Sequence, residues 1–305
     1  MQEGLKNFWH LVSLPDNVPI IGMLALVIFY TWQSMRKALR NDRLGTPVEA
    51  SMTDRVQVWP YLVRIEFLTS IVVILILTIW SVGIDAPLEE PANPGRTPNP
   101  SKAPWYFLGL QEMLVYFDPW LAGIVFPFLI QAGLMAIPYV DINPKGNGYY
   151  TWKERRFAIG FFMFGFLILW VFLIILGTLL RGPGWNFFFP WEEWDAHKVV
   201  AANSRDWPEL FGKFPAKNVD GSINTGHIII GSLSIIGYYF FGNLLLKKVI
   251  LPRATKDKDI VKKLGPLRYA TVSFFVLTCM TMPIKIILRL TLNVKYVLAT
   301  PWINF

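Results

Sequence analysis

Six stretches of this 305-residue chain run free of charge for about the length of a membrane-spanning helix. Asp16 to Arg36 leaves 19 uncharged residues, Glu66 to Asp85 leaves 18, Asp118 to Asp141 leaves 22, Arg156 to Arg181 leaves 24, Asp220 to Lys247 leaves 26 and Arg268 to Lys285 leaves 16. Crossing the hydrocarbon of a bilayer takes about 20 apolar residues as a helix, because every backbone N–H and C=O must be paired inside the segment. The windows therefore predict an all-α integral membrane protein with about six transmembrane helices. The sixth is the shortest. Pro283, followed by Lys285 and Arg289 among Ile284, Ile286, Ile287, Leu288 and Leu290, leaves two readings of 284–298: a continuing span, or an amphipathic helix lying in the interface.

The charges between the windows are unevenly shared. Segments 36–66, 141–156 and 247–268 hold six, four and eight Lys or Arg, whereas 1–16, 85–118 and 181–220 hold one, two and five. Cytoplasmic loops retain positive charge, so the alternation predicts both termini, and the loops 85–118 and 181–220, on the outer (periplasmic) side. The net charge of +8 is then an inner-face anchor that touches anionic lipid, and no single basic face is offered to a nucleic acid. The first window has Glu3 where a signal peptide would have a basic n-region, and its basic flank follows it, so the first span is expected to be retained. Trp and Tyr gather near the window ends, as an interfacial belt requires.

Scarcity limits the chemistry. The one cysteine, Cys279, lies in an apolar run and reads as a small buried hydrophobe; no intrachain disulfide and no CxxCH haem attachment is possible. Of three histidines, only His227 opens a span, so facing-helix His pairs for a haem b cannot be assembled. No window carries an Asp or Glu in its middle, which disfavours an ion-coupled transporter. Redox centres, where needed, must belong to partners.

The informative segment follows the second window. Six prolines between Pro87 and Pro104 make an extended, stiff run, and Trp105 to Phe117 then reads as a short helix, too apolar for water and too short to span. Such a helix is expected to pack at the membrane surface. Pro91-Ala-Asn-Pro94 followed by Ala103-Pro-Trp-Tyr-Phe107 is similar to the loop of the cytochrome b carboxy-terminal half, or subunit IV, of quinol:cytochrome c and b6f-type oxidoreductases, where PANP precedes P-E-W-Y. Leu121–Tyr139, Lys153-Glu-Arg-Arg156 and the span 157–180 follow in the order of that family's next two helices, so the resemblance covers roughly residues 60–180.

The resemblance implies a three-part chain: an added helix in 1–59, a subunit IV-like three-helix core in 60–180, and an extension in 181–305 with one or two further spans. It implies that the loop helps to form the outer quinol-oxidising pocket of a bacterial cytochrome bc-type complex in the inner membrane. Its partners would be a dihaem cytochrome b amino-terminal-type subunit, a Rieske iron–sulfur protein with a 2Fe-2S cluster and a c-type cytochrome, with haem b held outside this chain. Pro104, Trp105, Tyr106 and Phe107 are the expected quinol-binding residues. Pro104 also stands where the family has Glu, and proline accepts no proton. Seven residues after Trp105, and so close to the same helical stripe, Glu112 is the expected replacement, ahead of Asp118 and Glu90; a solvated interfacial charge is the alternative for it. The missing Glu points weakly to menaquinol. The aromatic run from Arg181 to His197 suggests a lid or docking surface. A non-catalytic assembly subunit that kept the fold stays open as a rival, with Pro104 in its favour.

Overall fold

The computed structural model describes residues 2–45, 57–86, 88, 91–143, 149–200, 203–212, 214–217 and 221–305. Its helices are α1 (Gln2–Ser13), α2 (Val18–Leu44), α3 (Val58–Gly83), α4 (Trp105–Met113), α5 (Leu121–Val140), α6 (Arg156–Leu180), α7 (Thr225–Thr255) and α8 (Ile260–Leu292). All but α1 and α4 are long and apolar enough to cross a membrane, six in total, so the protein is a multi-pass membrane protein. Among the described residues there is no β-strand, only isolated bridges.

The chain divides into two compact units. The first comprises Met1–Ser101, Asn147–Glu154 and Leu179–Ala196. Here α2 begins with a proline in its first turn, where a missing N–H costs nothing, and ends at Gly45, whose φ of +74° suits glycine. Its last turn is tied to residues far along the chain. Asn41 Nδ2 donates to the Tyr150 carbonyl at 3.0 Å, and Asp42 Oδ2 accepts from the N–H groups of Trp152 and Lys153 at 3.1 and 2.9 Å. The helix α1 lies against the aromatic loop that follows α6: a Cβ on Gly4 would collide with the Trp191 carbonyl. No residue of α3 is buried within the chain.

The second unit, Lys102–Gly146, Arg155–Thr178 and His197–Phe305, holds α4, α5, α7, α8 and most of α6. Leu246, Leu251, Leu264, Tyr269 and Val276 form a core with Ile142, Phe157 and Phe161 packed on it. Away from water a hydroxyl or amide must find its partner in the protein. Accordingly the α7–α8 seam carries a ladder: Tyr238 Oη donates to the Leu277 carbonyl at 2.6 Å, Tyr239 pairs with Thr278 at 2.9 Å, and Asn243 donates to Ser273 at 3.1 Å. Between α5 and α6, Arg155 Nε meets Asp141 Oδ2 at 2.7 Å.

Three expectations are sharpened here. The sixth span does not end at Pro283: the helix kinks at Gly265 (φ +72°) and then runs unbroken through Pro266 and Pro283 to Leu292, about 40 Å, enough to cross. Only 293–305 leave the helix. Residues 181–305 thus hold two candidate spans, α7 and α8. The basic stretch 247–268 is largely helical, with α7 continuing through Lys247, Lys248 and Arg253. Cys279 is half-buried and free.

The carboxy-terminal tail is anchored by His227, which is fully buried at the start of α7. Its Nε2 accepts the Ala299 N–H at 3.1 Å, so the ring proton sits on Nδ1, 3.0 Å from the Phe214 carbonyl. Asn304 Nδ2 donates to Asp118 Oδ2 at 3.1 Å, which ties the tail to the start of α5.

Candidate functional site

The loop that carries the sequence motif opens with a turn. Asn93 Oδ1 accepts the Gly95 N–H at 2.9 Å, and the Asn93 carbonyl accepts from Arg96 N–H at 3.1 Å. Further on, Asn99 Oδ1 accepts the Gly184 N–H at 2.6 Å. Pro104 stands at the N-cap of α4 (φ −52°, ψ 147°), where its fixed φ ends the extended run and its carbonyl accepts the first helical bond, from Phe107 N–H at 2.8 Å. Gln111 Oε1 reaches back to accept the Ala103 N–H at 2.8 Å. The helix so started has 9 residues, about 13 Å, and cannot span.

The first turn of α4 and the rest of the helix differ sharply. Trp105, Tyr106 and Phe107 stand 38, 51 and 50% exposed and form one aromatic row, with ring centroids 5.7 Å apart for the first pair and 4.8 Å for the second. Leu108, Gly109, Glu112 and Met113 face inward. They pack on α6, where Leu173 and Ile174 are buried. Two glycines let the helices approach: a Cβ on Gly109 would be 3.4 Å from Ile174, and one on Gly177 would be 3.2 Å from the Leu108 carbonyl oxygen.

Glu112 is 0% exposed, which removes the solvated interfacial charge as a reading. Tyr116, itself buried, donates from Oη to Glu112 Oε1 at 3.1 Å. Glu112 shares its stripe with Trp105, as the spacing predicted, but the first turn of α4 emerges while the second does not. The carboxyl is therefore buried one to two turns along α4 from the aromatic row. Asp118 is occupied otherwise, accepting from Trp120 N–H at 3.3 Å as well as from Asn304. Glu90 lies outside the described residues.

Sequence reasoning passed over Lys102, counting it only as a loop charge. Its Nζ donates to the Thr178 carbonyl at 2.8 Å, near the carboxy-terminal end of α6. Burial pushes its ammonium down to about 8 from the ordinary lysine value of 10.5. Thr178 is 4% exposed and its hydroxyl has no hydrogen-bond partner among the described residues. The signal that could have found Lys102 is its place, two residues before Pro104 in a segment otherwise poor in groups that exchange protons.

Among the described residues, no group of three or more His, Cys, Asp or Glu side chains is placed to hold a metal ion. No solved structure matches the chain. Residues 91–190 match the family model described as cytochrome b(C-terminal)/b6/petD. The matched segment starts at the first proline of the PANP turn, contains α4, α5 and α6, and ends at Pro190 in the aromatic loop. The family is one of subunits of cytochrome bc-type oxidoreductase complexes. Through residues 91–190, a third of its length, the chain is similar to the cytochrome b carboxy-terminal/b6/petD family.

Proposed function

We propose that the protein is a subunit of a quinol:cytochrome c oxidoreductase in a bacterial inner membrane and that the α4 loop forms one wall of its outer quinol-oxidising pocket. The observation that carries this reading is α4 itself: an exposed aromatic row, Trp105–Tyr106–Phe107, followed along the helix by a fully buried carboxyl, Glu112, inside the family segment. A quinol needs an apolar, aromatic surface for its ring and a nearby group to take a hydroxyl proton. Pro104 directs the row by starting the helix, and Glu112 is the proton acceptor in place of the family's Glu. Menaquinol is the proposed substrate.

The charge alternation supports placing both termini and the α4 loop outside. Electrons leave to a Rieske 2Fe-2S protein and to haem b on a dihaem cytochrome b-type subunit, with a c-type cytochrome beyond. The wholly exposed apolar surface of α3 supports a place against lipid or a partner's helices. The chain's three proposed parts are the added helix in 1–59, the core in 60–180 and the extension in 181–305. A second reading, a non-catalytic assembly subunit, draws on Pro104 alone.

Glu112→Gln in the assembled complex separates them. The amide keeps the Tyr116 hydrogen bond and loses the basicity, so quinol oxidation is expected to fall by about 10- to 100-fold at unchanged haem content. An unchanged rate and pH profile would sink the proposal for Glu112, and a complex indifferent to Trp105 and Tyr106 substitutions as well would favour the assembly role.

A further inference from the structure

The carboxy-terminal end of α8 gathers positive charge where membrane topology does not call for it. The charge alternation assigns this end to the outer side, the one point at which this inference rests on the reading above, and outer segments are as a rule poor in cations. Residues 203–212 and 285–305 nonetheless carry Arg205, Lys285, Arg289 and Lys295 against two carboxylates, Asp206 and Glu209. The fold brings the four cations together. Arg205 N–H donates to the Asn293 carbonyl at 3.1 Å, and the Arg205 carbonyl accepts the Lys295 N–H at 2.8 Å. Arg289 Nη1 donates to the same Asn293 carbonyl at 3.4 Å. The Nζ atoms of Lys295 and Lys285 lie 5.0 and 5.8 Å from the centroid of one ring, that of Tyr296.

None of these charges is neutralised nearby. Among the described residues the four make no ion pair, whereas Lys262 and Lys263, before the kink of α8, pair with Asp259 and Asp257. Asp206 uses Oδ1 to accept the Tyr296 N–H at 3.2 Å and acts on Lys285 only through space. Lys285 is 3% exposed, and its Nζ meets no acceptor among the described residues. An ionisable group inside a span is as a rule paired or turned to a polar cavity, and one that is neither marks a functional position. Solvent screens a buried charge little, so Lys285 adds its field to that of the three cations nearer the surface.

On the same turns α8 exposes apolar side chains: Ile287, Leu290 and Leu292 are 57, 72 and 47% exposed. Lys285 stands about 10 Å before the helix end at Leu292, so the cations lie within the last turns of the span. An acidic protein surface would match the cations alone; a phospholipid matches the cations and the apolar turns together. We propose that the outer end of α8 binds an anionic phospholipid. Arg289, Lys295 and Arg205 hold its phosphodiester, the acyl chains lie along Ile287 and Leu290, and Lys285 contributes its field from below without touching the ligand. Arg289 has N–H groups to spare beyond the one on Asn293, and a guanidinium can hold two phosphate oxygens at once.

Titrating the assembled complex, stripped of bound lipid in detergent, with short-chain phosphatidylglycerol, phosphatidylcholine of the same chain length or inorganic phosphate tests this, with native mass spectrometry counting what stays bound. A cation at a membrane surface is worth about fivefold in affinity for anionic lipid. The double variant Arg289→Gln, Lys295→Gln is therefore expected to weaken one phosphatidylglycerol site by about 25-fold and to leave phosphatidylcholine binding unchanged. Lys285→Met is expected to weaken the same site several-fold. Equal phosphatidylglycerol binding by wild type and the double variant overturns the proposal, as does an equal loss of both lipids, or inorganic phosphate displacing phosphatidylglycerol at equal concentration. Should the double variant fail to assemble, Lys285→Met decides, and wild-type affinity in that variant overturns the proposal. No quinol enters this assay, so its failure leaves the quinol reading standing, and a complex that oxidises no quinol overturns that reading alone.

Discussion

A larger residue at Gly177 should lift α4 off the span that carries it. A Cβ there stands 3.2 Å from the Leu108 carbonyl oxygen and 3.3 Å from the Leu108 Cβ, closer than ordinary van der Waals contact. The oxygen belongs to the backbone and cannot swing aside as a side chain does. Alanine therefore requires a shift of a few tenths of an ångström, and leucine, whose next atoms reach about 1.5 Å further per bond, requires about 1 Å or more. Overpacking of this kind costs about 1–3 kcal/mol, the lower figure for Gly177→Ala and the upper for Gly177→Leu. A misplacement of about 1 Å in a reacting geometry lowers rate by about 10²-fold, so the leucine variant should lose most quinol oxidation while still assembling. Gly165, in the same span, is the control: a Cβ there meets nothing within 4 Å, and Gly165→Ala should gain about 0.5–1 kcal/mol from helix propensity. Thermal unfolding and quinol oxidation of the purified complex read both quantities. If Gly177→Leu and Gly165→Leu behave alike in both assays, the contact does not position α4 and the reasoning fails.

His227→Phe keeps the volume of a fully buried ring but strands the Ala299 N–H and the Phe214 carbonyl, at about 1–3 kcal/mol for each unpaired group. Thermal unfolding should shift down accordingly, and limited proteolysis should cut the chain after Leu292 sooner than in wild type; equal cleavage would show that the histidine does not hold the tail. Lys285→Met should leave stability unchanged or raise it by about 1–2 kcal/mol, because among the described residues the buried Nζ has no hydrogen-bond acceptor and lies over the rings of Phe117 and Tyr296, both at 5.8 Å, with Asp206 acting on it only through space. A clear drop in thermal stability would mean that the ammonium contributes more than those two rings return.

The spans were legible because the bilayer acts as a solvent on each segment separately. Charge-free windows at 118–141 and 156–181 correspond closely to α5 at Leu121–Val140 and α6 at Arg156–Leu180. Helix ends were less legible. Lysine and arginine carry long apolar stems that reach along a helix to the interface, so a charge marks where the membrane surface lies and not where the helix stops. That is why α7 continues past Lys247 to Thr255, and why α8 accommodates Lys285 before ending at Leu292. In the candidate site, periodicity put Glu112 on the stripe of Trp105, but its complete burial depends on α6 approaching as closely as Gly109 and Gly177 permit, and no local pattern in 105–117 carries that information.

The residues that sequence reasoning undervalued share a physical property: their polar partners are remote in the chain. Lys102 bonds to Thr178, 76 residues on; His227 to Ala299, 72 on; Asn41 to Tyr150, 109 on; Asp118 to Asn304, 186 on. Glu112 and Tyr116 are the contrast, four residues apart on one helical turn and readable from spacing. A polar group withdrawn from water must be paired, and helices spend their own backbone groups internally, so the remaining demand falls on side chains and on the loop carbonyls and N–H groups at span ends. Hydropathy reports where such ends occur and is blind to which end meets which. It follows that in a chain this poor in charge the buried polar atoms outside helix backbones are the sites to test first. Those left without a partner among the described residues, the Thr178 hydroxyl and the Lys285 amine together with Arg156 Nε and Trp185 Nε1, mark places where something other than protein architecture can be selecting the residue.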